Sequence, residues 1–189
     1  MIHIYCFHGC GQEPVIFQSL TKSLQKNLKE YEWVYLKGNY PKNEGGWGWY
    51  KYKDNNSKVW DDNMEIDQTN RKRDLVTISN MINEKSDPEN SVLIGFSEGG
   101  QFVLDLAQII PNIRGVVAMS PAYQKGLNSA RIMCPVILIT SSNDSRVMKR
   151  YSDKWKKIIE NITEIDHTKG HKVYLPLETR QIIRGVLDI

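Results

Sequence analysis

Ser91-Val-Leu-Ile-Gly-Phe-Ser-Glu-Gly-Gly100 is the stretch on which the reading of this chain depends. Val92, Leu93 and Ile94 form an uninterrupted apolar run of the length of a buried parallel strand. Beyond it Phe102, Val103, Leu106, Ala107 and Ile110 recur at helical spacing. The chain therefore passes from strand to helix within about three residues. So sharp a turn puts its central residue, Ser97, in a strained backbone conformation and needs small neighbours, which Gly95, Gly99 and Gly100 provide. It also holds the Ser97 hydroxyl clear of the backbone at the start of a helix, where outward-pointing N–H groups favour negative charge. Gly-x-Ser-x-Gly alone is common by chance; between a buried strand and an apolar-faced helix it specifies a nucleophile.

Working outward, apolar runs and amphipathic segments alternate along the chain. The pattern predicts a strand at 2–7, a helix opened by Pro14 with Phe17, Leu20, Leu24 and Leu28 on its apolar face, and a strand around Trp33-Val34-Tyr35-Leu36. Leu75, Ile78, Met81 and Ile82 mark a helix over 68–83. After the central stretch come buried strands at 115–120 and 134–140, a helix over 146–161 and a short strand at 162–166. A terminal helix turns Ile182, Ile183, Val186 and Leu187 inward. Such alternation predicts a single α/β domain over residues 1–189, with a mostly parallel sheet of about six strands flanked by helices. Only the irregular stretch 38–66 breaks the pattern. Gly38, Pro41, Gly45, Gly46 and Gly48 interrupt any regular element, while Trp47, Trp49, Tyr50, Tyr52 and Trp60 concentrate aromatic surface. These rings either pack the insert onto the domain or line an apolar pocket above the strand ends, with Trp47 and Trp49 as the candidate pocket residues.

Bulk properties exclude several classes of function. Charged residues make up 25% of the 189, the net charge is only +3, and no long basic run exists, so nucleic acid is not an expected partner. No apolar run reaches bilayer-spanning length, and the opening Met-Ile-His-Ile-Tyr-Cys-Phe reads as a strand rather than a leader. Three cysteines leave an odd thiol whatever is paired, which points to a reducing compartment. A cytoplasmic protein without stable membrane insertion, monomer or homodimer, is expected. Cys6, His8 and Cys10 lack a fourth ligand close in sequence, so neither a metal nor another cofactor is called for.

In parallel sheets, ligands bind beyond the carboxyl ends of the strands, where Cys10, Ser97, Asp144 and His171 all fall. Their order, serine then acid then histidine, is that of the nucleophile-elbow hydrolases. Serine needs a base to take its proton, and the base needs an acceptor to fix its tautomer. His3 lies within the first strand and His8 in the first turn, whereas His167 and His171 both follow the acid; His171, preceded by Gly170, is the candidate base. Asp144 ends a buried strand and is the candidate acid, with a helix N-cap as its other reading, while Asp153 lies on a helix and Asp166 too near the histidines. The backbone N–H groups of Glu98 and Cys10 are the natural donors to an oxyanion.

With these residues in place the chain resembles the α/β-hydrolase superfamily, and within it the small phospholipase/carboxylesterase group that includes acyl-protein thioesterases. The resemblance rests on His8-Gly9-Cys10-Gly11-Gln12 as oxyanion turn, on Gly95-Phe96-Ser97-Glu98-Gly99-Gly100 as elbow, on the 115–120 strand, and on the segments ending in Asp144 and Gly170-His171. The group usually has glycine where this chain has Ser142 or Asn143. The resemblance implies Ser97, Asp144 and His171 as a catalytic triad acting on small-molecule or acylated ester or thioester substrates. With no separate lid domain visible, short to medium acyl chains are expected. A non-catalytic acyl- or peptide-binding module that kept the fold is the alternative.

Overall fold

The computed structural model describes residues 1–53, 65–124 and 130–188. Six strands form one sheet: β1 (His3–Phe7), β2 (Glu32–Leu36), β5 (Ser91–Phe96), β6 (Gly115–Met119), β7 (Ile132–Ser141) and β8 (Ile159–His167). Their spatial order is β2-β1-β5-β6-β7-β8, and every pairing is parallel. The chain first steps outward from β1 to β2, then returns across β1 to β5 and continues to the other edge. The direction of travel therefore reverses between β1 and β5, the kind of switch point at which a crevice opens beyond the strand ends.

Among the described residues, five α-helices cover the two faces: α1 (Pro14–Asn27), α2 (Gln68–Lys85), α3 (Glu98–Ala107), α4 (Lys149–Lys156) and α5 (Leu177–Leu187). Alternation along the strands decides which helix meets which residue. Tyr5, Phe7, Leu93, Val116, Ala118 and Leu138 pack with Leu75 and Ile82 of α2, Phe102 and Leu106 of α3, and Trp155 of α4. Ile4, Cys6, Val92, Ile94, Val117 and Ile137 pack with Phe17 and Leu24 of α1 and Ile183 and Leu187 of α5. Because both faces are covered, the strands read as continuous apolar runs rather than alternating ones.

The boundaries around the fourth helix differ most from the sequence reading. The helix expected over 146–161 is only Lys149–Lys156, and the last strand begins at Ile159 rather than 162. At its start, the Asp144 carboxylate captures the Arg146 and Val147 amides at 2.8 and 2.9 Å, holding those residues in a turn. At its end, pairing of Ile132 with Ile159 claims the chain for the sheet. Long-range pairing thus overrides the helical spacing of Val147, Tyr151, Trp155 and Ile158.

The insert is not wholly irregular. β3 (Tyr40–Pro41) and β4 (Trp47–Gly48) form a small antiparallel pair, with Tyr40 opposite Gly48 and Pro41 opposite Trp47. The centre of the insert, including Trp60, lies outside the described residues. Below the pair, the Tyr50 hydroxyl donates to Asp105 at 2.6 Å, and the same carboxylate accepts the Arg71 guanidinium, tying insert, α2 and α3 together in the core. Desolvation lifts the Asp105 carboxyl above its ordinary value even though Arg71 opposes it.

Candidate active site

Ser97 joins β5 to α3 at φ 55 and ψ −116, a left-handed conformation in which a serine is strained. The strain is held from outside: the Ser97 amide donates to the Met119 carbonyl at 2.8 Å, and the Gln101 amide closes the first helical turn onto the Ser97 carbonyl at 3.0 Å. Glycines are obligatory around it. A Cβ on Gly95 would clash with the Gly99 backbone, and one on Gly99 would clash with the carbonyls of Phe7 and His8. The elbow thus packs, backbone to backbone, against the end of β1.

Asp144 and His171 reach Ser97 from the loops after β7 and β8. The His171 Nδ1 lies 2.7 Å from Asp144 Oδ2, and its Nε2 lies 3.1 Å from the Ser97 hydroxyl. Desolvation alone would raise the Asp144 carboxyl, but the bond to His171 and the Val147 and Arg146 amides outweigh it and hold it below its ordinary value. An ionised Asp144 can only accept, so Nδ1 carries the proton and Nε2 is left as the acceptor facing Ser97. The N-cap-like role of Asp144 and its bond to histidine coexist, one on each oxygen. Phe96 packs beside the imidazole, with ring centroids 4.8 Å apart.

The His171 loop is clamped to the acid loop by residues that the sequence left unassigned. Asn143 donates to the Thr168 carbonyl at 2.8 Å and accepts the Gly170 amide at 2.9 Å, and the Ser141 hydroxyl accepts the same amide at 3.0 Å. Gly170 itself has φ 73, the conformation that glycine supplies without strain. The resembling group usually has glycine where this chain has Ser142 or Asn143, and that departure was the one available signal.

His167 is placed differently. Its ring stacks on Tyr174 at 4.3 Å between centroids, and its Nδ1 accepts the Lys169 amide at 3.0 Å. His8 is wholly enclosed, donating from Nδ1 to the Gly9 carbonyl and accepting the Gly38 amide on Nε2. Both rings must be neutral to accept those amides. Desolvation lowers each below the ordinary 6.5, against the Gly9 carbonyl and Glu98 for His8 and against Asp166 and Asp144 for His167. The unfolded chain takes up these protons first as pH falls. Their contribution to stability is therefore fully present above about 6.5 and is lost below it, toward the lower folded values. Melting temperature measured from about pH 7.5 to about pH 5 is expected to decline, and His167→Gln to flatten part of that decline. An unchanged slope in the variant would remove His167 from the account.

The turn at Cys10 is built from its neighbours. Gln12 accepts the Gly9 amide on its side chain at 2.8 Å, while the Gly11 amide donates to the Trp47 carbonyl at 2.9 Å and the Trp47 amide donates to the Gln12 carbonyl at 3.1 Å, an isolated antiparallel bridge. Among the described residues no hydrogen bond engages the Cys10 amide or the Glu98 amide. All three cysteines are free, and no described cluster of His, Cys, Asp and Glu is arranged to hold a metal ion.

The two candidate pocket tryptophans differ in their placement. Trp49 is 2% exposed, packed against Phe7 and Phe102, and its indole N–H donates to the His8 carbonyl at 2.8 Å, so it is a core residue with no face for a substrate. Trp47 is half-buried with the Lys37 ammonium 3.6 Å over its ring, and its backbone supports the Cys10 turn. The insert packs onto the domain and braces the turn. Sequence reasoning missed the Glu98 carboxylate as its anchor, although a charged residue set among Phe96, Gly99 and Gly100 was a signal that it had a buried partner.

Comparison with known proteins accords with this geometry. The family model described as serine hydrolase (FSH1) matches residues 1–182. No curated protein matches. Among solved structures, Arabidopsis thaliana SOBER1 superposes with a TM-score of 0.78 at 15% identity, covering 99% of this chain and 97% of that one. A Bacillus cereus carboxylesterase gives 0.76 at 18% identity, over 99% and 87%. A Mesorhizobium loti carboxylesterase gives 0.75 at 14%, over 99% and 88%. At such identities the likeness is one of fold. The family model, which spans nearly the whole chain, carries the assignment: the protein belongs to the FSH1 serine hydrolase family.

Proposed function

We propose that the protein hydrolyses carboxylic esters or thioesters through an acyl-enzyme on Ser97, with His171 as general base and acid and Asp144 as its orienting partner. The observation that carries this reading is the line of hydrogen bonds from Asp144 through His171 to the Ser97 hydroxyl, at 2.7 and 3.1 Å. Ser97 is only 4% exposed and strained, so its hydroxyl has few alternative orientations.

In the first step the Ser97 oxygen adds to the substrate carbonyl as its proton passes to His171 Nε2. The Asp144 carboxylate stabilises the imidazolium, and the carbonyl oxygen, now an oxyanion, accepts from the Cys10 and Glu98 amides. Collapse expels the alcohol or thiol, which takes the proton from His171 and leaves the acyl group on Ser97. Water, deprotonated by His171, then adds to the acyl carbon, and collapse returns the proton to Ser97 and releases the acid. No step needs a metal or cofactor. The substrate is a small or acylated molecule, and three free thiols suit a cytoplasmic enzyme.

Fluorophosphonate labelling separates a hydrolase from a binding module on the same scaffold. Folded wild-type protein is expected to label stoichiometrically and Ser97→Ala not at all. Absence of labelling in the wild type would sink the enzyme reading, and labelling that survives Ser97→Ala would sink the nucleophile.

A further inference from the structure

The side chain of Glu98 belongs to the residue after Ser97, yet the hydrolytic steps use only its amide. Its carboxylate is completely enclosed. A buried carboxylate is tolerated only where donors surround it. Here they come from the insert. Oε2 accepts the Trp49 amide at 2.7 Å, Oε1 accepts the Tyr52 hydroxyl at 2.6 Å, and the Lys42 ammonium stands 3.5 Å from Oε1. Lys42 is fixed in turn by the Tyr50 carbonyl at 3.1 Å. The same insert also holds the Cys10 turn: the Gly11 amide donates to the Trp47 carbonyl at 2.9 Å, the Trp47 amide to the Gln12 carbonyl at 3.1 Å, and the Trp49 indole N–H to the His8 carbonyl at 2.8 Å. A Cβ on Gly48 would lie 2.7 Å from Glu98 Oε2, so the insert closes directly over the group.

We propose that the Glu98 carboxylate is a positioning group for the oxyanion hole, tying the turn that presents the Cys10 amide to the turn that presents the Glu98 amide, with Lys42 cancelling its charge. The inference rests on the reading of those two amides as the oxyanion donors. Three donors converge on it, from an amide, a phenol and an ammonium, and an ionised carboxylate, which accepts at both oxygens and donates nowhere, matches them. The Lys42 charge has its own necessity. A full negative charge one residue from Ser97 opposes the negative charge that develops on the substrate oxygen, unless a cation offsets it in the same low-dielectric surroundings. The insert thereby acquires a catalytic consequence without touching substrate.

Glu98→Gln tests this without emptying the site, because the amide oxygen can keep the Trp49 bond while its NH2 group turns to a Tyr52 hydroxyl that rotates to accept. What Gln cannot do is pair with the Lys42 ammonium as well. With sites titrated to completion by fluorophosphonate, Glu98→Gln is expected to lower kcat per titrated site about tenfold, with KM within about threefold of wild type. A trifluoromethyl ketone, which forms the oxyanion on binding, should lose affinity by the same factor. Lys42→Met should move both readouts in the same direction. Wild-type kcat per site and ketone affinity in both variants, with only a lower melting temperature, would reduce Glu98 to a structural anchor. A raised KM with unchanged kcat would overturn the proposal too, by assigning the network to substrate binding. Failure of the wild type to label or turn over would instead remove the Ser97 reading, and the brace with it.

Discussion

His171→Ala is expected to lower kcat by several orders of magnitude, on the order of 10⁵, while KM stays within about threefold. The imidazole acts on the transition state, and nothing in its contacts with Asp144, Ser97 and Phe96 implies ground-state binding. Ser97→Ala should be as severe, and the double variant little worse than either single one, because a nucleophile without its base and a base without its nucleophile are equally idle. His167→Ala is the internal control. It should keep kcat within about tenfold and lose stability instead, since it strands the Lys169 amide and unstacks Tyr174. Equal melting temperatures for wild type and His171→Ala would exclude unfolding as the cause of inactivity. An inactive His167→Ala beside a near wild-type His171→Ala would reverse the assignment of the base.

These two histidines show what a sequence can and cannot reveal. Both follow the acid in sequence, four residues apart, and nothing local distinguishes them except Gly170. Their separation is tertiary: His167 ends β8 and turns to Tyr174, whereas the Asn143 and Ser141 clamp carries His171 back over the acid loop. The elbow was legible because its signals are contiguous, a strand-length apolar run, glycines at the clash points and a helical repeat. The parallel sheet was legible because strands buried on both faces read as unbroken apolar runs. The insert was not, for its meaning lies in bonds across the chain from Trp49 and Tyr52 to Glu98, and no periodicity announces them. Its tryptophans left packing onto the domain and lining a pocket both open, because exposed loops rarely carry them. Trp49 instead satisfies that same expectation by being buried beside Phe7 and Phe102.

Asp144→Asn makes the sharper prediction about proton placement. Oδ1 of Asp144 accepts two amides, from Arg146 and Val147, and Oδ2 faces His171 Nδ1. An asparagine has one oxygen for these two duties. Leaving it with the pair of amides preserves two bonds of about 1 kcal/mol each and turns the NH2 group toward His171. Nδ1 must then accept, the imidazole proton moves to Nε2, and that nitrogen donates to the Ser97 hydroxyl instead of taking its proton. The reverse orientation keeps the tautomer but sets the NH2 group against two amide donors, which is the costlier choice. Turnover is therefore expected to fall on the order of a thousandfold or more, with KM little changed and a melting temperature near that of the wild type. Asp144→Ala should be equally inactive but less stable, because it also frees the two amides. A Tm gap between the Asn and Ala variants at matched inactivity would assign the loss to the tautomer, and an Asn variant within about tenfold of wild type would take Asp144 out of the catalytic line.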